Sequence, residues 1–578
     1  MFTRHELVAL YVAVAVGTNL VGHDVLQILF TTLTYVFRHA NAENGWATKI
    51  LPLLPDHLMM RDKEALSALY TGNSTLYRWD HFRPWLRPLG WWTLFTMLVV
   101  WSMLCLAAIF RRQWDAERLT YPITEIPLQV ITQTDTLLRS RLLWGGVAIG
   151  AAGQIINLIH VLAPSVPGVP IGVQYFQAET PPWNAAGPLP ISSFPFAYGL
   201  TFLLPTQLGF STWFFMLFSR LELVGAAMWG YKDVNPWGDA SVPYLQQQSV
   251  GAILGLFLTV IWAARDHLRA VWRAALHPSE ASPEDAAEPM SYRTALFGYI
   301  AGMLGMIWFA VAAGMRPMTA LIFFGILFVI VLVVARMRAE LGLPTYELYQ
   351  VGADHVMQRV GGTSAWSHSD LTVMTLFFWL GRTHRQLPMQ TQVDAIRLGH
   401  RTNTSLRSMT LVILGASMLG TVAAFWAMLH STYIVGFESA KFQGPAPGAF
   451  GAEPWRKLDS WLSSPQKPNF GAMGAYAFGC LTTLLLAILR SRFVWWPFHP
   501  VGYLVSGSFG LFRLWFPIFV SWLAKVLILR YGGLRGYRAA LPFFIGLVLG
   551  EFTAGFARTI LDLLFSLHLP AESGIGGL

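Results

Sequence analysis

Long apolar runs recur along the whole chain, and they constrain its fold more than any other feature. A helix needs roughly 20 apolar residues to cross the hydrocarbon core of a bilayer. Thirteen runs of this kind lie at residues 7–37, 91–110, 142–163, 191–204, 209–229, 247–264, 294–313, 317–335, 407–430, 471–489, 494–511, 512–529 and 539–566. Backbone groups in lipid must be hydrogen-bonded within the protein. The sequence therefore predicts an all-α, polytopic transmembrane helix bundle of about 13–14 spanning helices.

The amino-acid composition supports the lipid bilayer as the main partner. Only 12% of the residues are charged, against about 25% in a typical soluble chain. The net charge of +9 does not indicate nucleic acid, because the basic residues form short clusters at the ends of apolar runs. Cys105 and Cys480 lie inside such runs, which argues against a disulfide framework or a thiolate metal site. We expect no metal and no cofactor.

Several motifs of nucleotide-driven or hydrolytic chemistry are absent. The sequence has no GxxxxGK[ST] loop, no HExxH, no CxxC and no GxSxG. ATP-driven transport by this chain alone, zinc-protease chemistry and α/β-hydrolase chemistry all lose support. We therefore expect no catalytic residues and do not expect an enzyme.

The distribution of basic residues predicts the topology. With the N-terminus inside, the cytoplasmic segments are 1–6, 111–141, 265–293, 336–370, 382–407, 490–493 and 530–538, and they hold 23 Lys and Arg. The outside loops beyond the long first one, 38–90, hold only 6. This asymmetry follows the positive-inside rule. It predicts a multi-pass protein of the bacterial inner membrane with a cytoplasmic N-terminus and an outside C-terminus.

An acidic linker suggests two halves. We expect a transmembrane half at 1–277, a flexible linker at 278–290, and a second half at 291–578 that includes the outside loop 431–469. Pro195-Phe196, Trp213-Phe214 and Ser219 recur 302 residues later, which is compatible with duplicated halves or with chance. The run 371–381 is only half a span, so it is either re-entrant or part of a broken crossing.

Polar residues line one face of the first predicted helix. Asn19, His23 and Gln27 follow each other at four-residue spacing, and Asp24 is next to His23. Residues at this spacing share a helix face. We interpret them as the lining of a pathway, with His23 and Asp24 handling a proton. Hydrogen bonding between helices is the alternative.

The third predicted helix carries a similar stripe. Gln154, Asn157 and His160 cover an arc of about 120° on a helix with 3.6 residues per turn. Amides both donate and accept hydrogen bonds, so the stripe suits a neutral or peptide-like ligand. A purely structural role is equally compatible with the pattern.

Ionisable residues within apolar runs are the remaining candidates for a substrate or proton pathway, because such groups are costly in lipid. Arg220 and Glu222 are two residues apart and do not face each other, so each needs its own partner. Glu551 shares a face with Arg558, and the pair has either a structural or a titrating role. The Gly546, Gly550 and Ala554 ridge beside Glu551 predicts close helix contact.

Glu125 lies in a segment with two prolines. Pro122 and Pro127 are expected to prevent a regular helix across residues 117–131. A broken, acid-bearing segment at a membrane edge is typical of transporter sites, and an interfacial loop is the competing interpretation.

Three stretches resemble the oligopeptide transporter superfamily, which includes the yellow-stripe metal-chelate carriers. They are LTYPITEIPLQVI within 117–131, LPTQLGFSTWFFMLFSRLELV at 204–224, and the closing part from FPIFVSWLAKVLILRYGG (516–533) to GLVLGEFTAGF (546–556). The chain also looks like an uncharacterised bacterial membrane family distantly related to those carriers. The resemblance implies a proton-coupled carrier with Glu551 as its best-matched acid. The superfamily has sixteen helices and a Ser-Gly where this chain has Ile123 and Thr124, so the substrate is not carried over.

Together these features predict a secondary, proton-coupled transporter of a small peptide-like or metal-chelate-like solute, working by alternating access. One alternative is a membrane-embedded glycosyltransferase that uses a lipid-linked sugar, with Asp56, Asp62 and Asp80 in the long outside loop. Another is a non-transporting subunit of a membrane complex. The predicted partners are the bilayer and a small-molecule substrate, with no nucleic acid, and a homo-oligomer is compatible with the sequence.

Overall fold

A computed structural model describes residues 2–22, 25–231, 241–277, 285, 287–343, 347–439 and 446–565. The predicted proton pair, His23 and Asp24, and most of the acidic linker 278–290 lie outside the described residues.

The described part of the chain is mainly helical. Its helices are α1 (Arg4–Val21), α2 (Leu26–His39), α3 (Trp46–Lys49), α4 (Lys63–Thr71), α5 (Trp79–Ala116), α6 (Pro122–Thr132), α7 (Thr134–Leu138), α8 (Arg141–Leu162), α9 (Pro195–Phe202), α10 (Thr206–Met228), α11 (Leu245–Leu276), α12 (Tyr292–Ala312), α13 (Pro317–Leu341), α14 (Ala353–Gly361), α15 (His368–Leu376), α16 (Phe378–Gly381), α17 (Pro388–Arg401), α18 (Leu406–Val435), α19 (Gly451–Ser463), α20 (Phe470–Arg492), α21 (Pro500–Leu504), α22 (Phe509–Phe512) and α23 (Trp515–Phe565). Two strands, β1 (Val173–Phe176) and β2 (Leu189–Ser192), pair antiparallel with Val173 opposite Ser192.

The all-α transmembrane bundle is confirmed. Within the described ranges, nine helical segments are long and apolar enough to cross a membrane, namely Arg4–His39, Trp79–Ala116, Arg141–Leu162, Leu245–Leu276, Tyr292–Ala312, Pro317–Leu341, Leu406–Val435, Phe470–Arg492 and Trp515–Phe565. The thirteen predicted runs exceed this number partly because the last two belong to α23. That helix changes direction at Gly533, where φ is 58°, a conformation that glycine adopts without steric cost.

Short polar residues begin many of these helices. The Thr3 hydroxyl and the Glu6 carboxylate form a capping box at the start of α1. Ser140, Ser291 and Ser405 each accept a backbone hydrogen bond at the start of α8, α12 and α18. Such caps satisfy N–H groups that the first helical turn leaves without a partner.

The chain folds into two compact units, which do not coincide with the predicted halves. The first unit contains residues 1–118, 260–335 and 350–473, and the second contains 119–259, 336–349 and 474–578. Each unit thus takes segments from both sides of the predicted linker.

In the first unit, α1 and α2 run parallel to α18. His5 Nδ1 lies 3.0 Å from Thr404 Oγ1 at one end, and Arg38 forms a 2.7 Å ion pair with Glu438 at the other. Between these ends Gly420 packs directly against the backbone of Gly17. The long loop 38–90 is ordered and packs its α4 over a buried cluster that includes Phe30, Leu66, Tyr70, Trp85 and Tyr433.

In the second unit, α8 and α9 pack against α23. A side chain at Gly546 or Gly550 would overlap backbone atoms of α8 at Leu143 and Val147. The predicted small-residue ridge is therefore confirmed as a close helix contact.

No regular helix crosses residues 117–131, as predicted, because α5 ends at Ala116 and α6 begins at Pro122, but Pro127 does not contribute to the break. Pro122 stands at the first helical position of α6, where its missing N–H has no intrahelical acceptor to lose. Pro127 lies inside the same helix, and the helix continues past it.

Candidate functional site

Two helical stretches of the first unit, α1–α2 and α15–α17, are interrupted near their middle. The backbone leaves the helix between α1 and α2, where Gly22 has ψ 157° and Val25 has φ −124°. It leaves the helix again between α16 and α17, over residues 382–387. His384 in this second interruption has a positive φ of 62°, a conformation that is uncommon for a residue other than glycine.

The predicted half-span 371–381 contains most of α15 and all of α16, and α17 follows it after residues 382–387. Asp370 at the start of α15 accepts hydrogen bonds from Arg316, the residue just before α13. At the far end of α17, Arg397 forms an ion pair with Asp115 near the end of α5. Helices α15, α16 and α17 therefore run along the length of the membrane-crossing helix α5, with the interruption 382–387 between their two halves.

The two interruptions meet. Asn19 Nδ2 donates a 2.7 Å hydrogen bond to the backbone oxygen of Gln386. The side chain of Gln386 packs so closely on Gly22 that any Cβ there would overlap it. Asn19, a predicted pathway residue, thus donates to a backbone carbonyl that the second interruption leaves without a helical partner.

Their depth follows from the helices beside them. Gly420, which packs against α1 just before its interruption, is the midpoint of the 30-residue helix α18. Gln392, on the first turns of α17, donates to the backbone oxygen of Val100 near the middle of α5. Both interruptions therefore lie beside the middle of a helix long enough to cross a membrane.

A buried group of ionisable side chains adjoins the second interruption. Lys457 Nζ on α19 lies 2.5 Å from Asp354 Oδ2 and 2.9 Å from His355 Nε2, both on α14. His384 is close enough to interact electrostatically with Asp354 and His355. We call Asp354, His355, His384 and Lys457 the central polar cluster.

The first turn of α14 brings Asp354 to this place. Gly352 and Gly381 approach so closely that a Cβ on Gly381 would lie 3.1 Å from the Gly352 Cα. This contact joins the start of α14 to the end of α16. A carboxylate in the first helical turn is favoured by the positive end of the helix dipole, which supports an ionised Asp354 beside Lys457.

His384 has unused hydrogen-bonding capacity. Its side chain is 3% exposed, and neither ring nitrogen has a hydrogen-bond partner within the described part of the chain. An imidazole can gain or lose a proton with little change in shape. A buried imidazole without partners next to a buried ion pair can therefore receive a proton or a polar ligand group.

A second ion pair attaches α19 to the second interruption. Glu453, one helical turn before Lys457, lies 3.1 Å from Arg382 in the interruption. The Arg382 guanidinium also stands 4.5 Å from the centre of the Phe450 ring. Helix α19 thus contacts the interruption through Glu453 and contacts α14 through Lys457.

The described residues contain no group of three or more His, Cys, Asp and Glu side chains suited to hold a metal ion. In the central polar cluster the ammonium of Lys457 occupies the space between Asp354 and His355. The cluster is therefore arranged for charge pairing.

The structure separates the predicted site residues. Asn19 and Gln27 belong to the first unit, where Gln27 lies in the first turn of α2 and is half-buried. The other described candidates, Glu125, Gln154, Asn157, His160, Arg220, Glu222, Glu551 and Arg558, belong to the second unit.

In the second unit, Glu551 holds one end of a short helix. Its Oε2 accepts a 2.6 Å hydrogen bond from the backbone N–H of Phe196, in the first turn of α9. Lys525, also on α23, donates to the backbone oxygens of Phe202 and Leu204 at the other end of α9, at 3.1 and 2.6 Å. An acid at the N-terminus and a base at the C-terminus both match the helix dipole.

The stripe predicted on the third crossing divides into two roles. Gln154 is buried, and its Oε1 lies 3.5 Å from Arg558 Nη1. Asn157 instead makes two hydrogen bonds to the backbone of Val169. His160 Nδ1 lies 2.5 Å from the oxygen of Val166. Asn157 and His160 therefore anchor the loop that follows α8.

Arg220 and Glu222 have separate partners, as their spacing predicts. The Arg220 guanidinium stacks 3.7 Å from the centre of the Phe512 ring. Glu222 Oε2 accepts a 3.2 Å hydrogen bond from Gln248. Gln248 in turn accepts from the Tyr503 hydroxyl at 2.8 Å. Glu125 is half-buried on α6.

Sequence reasoning missed the central polar cluster. The low hydropathy of the surrounding residues predicts an outside loop at Lys457 and cytoplasmic segments at Asp354, His355 and His384. One signal was present in residues 451–463. Trp455, Leu458 and Trp461 recur there at helical spacing, and all three side chains are buried.

Comparison with known proteins gives a family without an assigned activity. A family model described as "Family of unknown function (DUF6785)" matches residues 1–571. No curated protein matches the chain. The resemblance to the oligopeptide transporter superfamily stays a prediction.

Proposed function

The chain belongs to DUF6785, a family of unknown function, and on that premise we propose that it is a secondary transporter working by alternating access. The observation that carries this proposal is the meeting of two interrupted helical stretches beside the middle of helices long enough to cross a membrane, joined by the Asn19–Gln386 hydrogen bond. Non-helical backbone at this depth is tolerated only where it is buried in protein or lines a cavity. In carriers such interruptions coordinate the substrate.

The chemistry of the interruptions suits a small peptide-like or metal-chelate-like solute. Residues 382–387 offer backbone groups and the amide of Gln386, and Asn19 and Gln27 add amides from α1 and α2. Amides match both donors and acceptors of a peptide group. Arg382 and Arg385 lie within the interruption, and Lys457 pairs with Asp354 beside it, so a solute carboxylate could meet these cations.

We assign proton coupling to the central polar cluster. A proton that reaches Asp354 neutralises the charge that holds Lys457, and the attraction between α14 and α19 is then lost. His384 and His355 are placed to relay that proton, since a neutral imidazole accepts on one nitrogen and donates from the other. Protonation would thereby change how α19 covers the interruption.

Transport by purified protein in vesicles tests this proposal. Uptake of labelled dipeptides and of iron chelates is measured with and without an inward proton gradient. We expect one class to accumulate, and accumulation to stop when the gradient is collapsed. Gradient-independent uptake would remove proton coupling and leave a facilitator, whereas no uptake of either class would contradict the proposed substrate.

Variants connect the transport to the site. Asp354→Asn should retain solute exchange between equal concentrations but lose accumulation driven by protons. Lys467→Met is the matched control, because Lys467 is exposed and follows α19, and it should transport normally. Equal accumulation by Asp354→Asn and the control would place the coupling elsewhere.

We further propose the predicted orientation in the inner membrane, with the N-terminus in the cytoplasm. His5, next to Arg4, contacts Thr404 just after the end of α17. Arg397 lies in the last turns of α17 and pairs with Asp115 near the end of α5. Arg4 and Arg397 therefore lie toward the same end of the first unit. Cysteines introduced at Thr3 and Glu43 should react with an impermeant thiol reagent from opposite sides. Labelling of both from one side would contradict the orientation.

The glycosyltransferase alternative finds no supporting contact in the loop 38–90. Asp56 forms a 2.6 Å ion pair with Arg61, and Asp62 caps α4 by accepting from the N–H of Ala65. Both carboxylates therefore stabilise the loop itself.

A further inference from the structure

A basic cavity lies at the end of the first unit where α5 and α17 finish and α18 begins. Its volume is about 570 Å³. It is lined by Arg111, Arg112, Ala287, Glu288, His400, Asn403, Thr404, Ser405, Leu406 and Arg407. Three arginines thus face one glutamate around a space that the transport mechanism does not use.

The arginines differ in how far their charge is already compensated. Arg111 is held by Glu288 at 2.9 Å and by Asp115 at 3.8 Å. Burial raises the pKa of Glu288 above its usual value, while Arg111 and Arg112 oppose that shift. Arg407 forms no ion pair with any described residue, and its side chain is exposed. The cavity therefore has one arginine, Arg407, whose charge no described carboxylate compensates.

The start of α18 adds a second attraction for an anion. Leu406 and Arg407 are the first residues of a 30-residue helix, and their N–H groups have no intrahelical acceptor. Ser405 caps the next turn through the N–H of Ser408. Free N–H groups and the positive end of the helix dipole both favour an anion here.

We propose that this cavity binds a phosphate group, supplied by an anionic phospholipid headgroup or by a soluble phosphate compound. Arginine forks match phosphate oxygens, and such charge-assisted bonds are about twice as strong as neutral ones. The volume is sufficient for a headgroup. Its place at one end of membrane-crossing helices is where lipid phosphates lie.

Thermal melting of the detergent-solubilised full chain tests the proposal. The additions are phosphatidylglycerol, phosphatidylcholine, inorganic phosphate, and sodium chloride at matched ionic strength. We expect phosphatidylglycerol to raise the melting temperature more than phosphatidylcholine does. Protection by inorganic phosphate as well would identify a general phosphate site, and protection by the lipid alone would identify a headgroup site.

Arginine variants assign the effect to the cavity. Arg407→Gln should weaken phosphatidylglycerol binding about tenfold, as one charge-assisted bond to phosphate is lost, and Arg112→Gln should act similarly. Arg269→Gln is the control, because Arg269 is exposed and paired with Asp266 outside the cavity. Native mass spectrometry gives the fraction of protein with bound lipid.

Two results would overturn the proposal. One is equal protection by phosphatidylglycerol and phosphatidylcholine together with none by inorganic phosphate. The other is unchanged lipid binding in both Arg407→Gln and Arg112→Gln while each variant melts like the native chain without lipid.

Discussion

The buried ion pair between Lys457 and Asp354 can be tested by removing one charge at a time. Lys457→Met keeps an unbranched apolar side chain but removes the ammonium, which also stands 4.8 Å from the centre of the Trp461 ring. Asp354 then stays buried without its cation. Loss of one member of a buried pair costs about 3–5 kcal/mol, so we expect a large fall in the free energy of unfolding.

The geometry supports this magnitude. The side chains are 17% and 8% exposed, and the charged atoms lie 2.5 Å apart. At an effective dielectric constant of about 20 the attraction is roughly 7 kcal/mol. Desolvation of two ions offsets several kcal/mol of this gain. Removing only Lys457 loses the attraction but leaves the desolvation of Asp354 in place.

The double variant Asp354→Asn with Lys457→Met separates this account from simple packing loss. It removes both charges, so we expect it to recover about 2 kcal/mol relative to Lys457→Met alone. Unfolding by SDS in mixed micelles, followed by tryptophan fluorescence, measures the differences. Lys467→Met is the control and should change stability by less than about 0.5 kcal/mol.

The reasoning would be refuted if Lys457→Met and Lys467→Met unfolded alike. It would also fail if the double variant were less stable than the single one, because the charge left behind would then not be the cause.

Three further changes have definite expectations. Glu551→Gln should unfold like the native chain, because an amide oxygen still accepts from the N–H of Phe196. Glu551→Leu should lower the free energy of unfolding by about 1–3 kcal/mol in the same assay, because that N–H is left without an acceptor. Gly22→Leu should be expressed normally but should not transport, because the leucine side chain would displace Gln386. Normal uptake by this variant would show that the two interruptions need not meet. Arg38 lowers the pKa of Glu438 from 4.5 by hydrogen bonding. The stability difference between the native chain and Glu438→Gln should therefore be present above pH 4.5 and shrink as the pH falls. A difference that grows in acid would contradict this expectation.

Hydropathy and spacing identified the features that depend on neighbouring residues in the chain. The long apolar runs became membrane-length helices, and the ridge of Gly546 and Gly550 became a close contact with α8. Arg220 and Glu222 were expected to have different partners, and they do. In each case helix geometry alone fixes which residues share a face.

The role of an ionisable residue was harder to obtain. Glu551 stood out as an acid in an apolar run, and Arg558 on the same face looked like its partner. The structure places Glu551 at the N-terminus of α9, which is 355 residues away in sequence. Lys525, which was not selected, serves the opposite end of that helix. A cap can be recognised only when the capped helix has been placed beside it.

The sequence by itself determined that this chain is a helical membrane protein and which of its faces pack closely, because hydrophobic length and helical periodicity are local properties. Tertiary structure alone decided that Asp354, His355, His384 and Lys457 form one buried cluster. These residues lie in segments of low average hydropathy, which alone predicts contact with water. Burial inside protein depends instead on what packs around a segment, and α19 meets Arg382 through Glu453 and Asp354 through Lys457 only after distant parts of the chain have folded together.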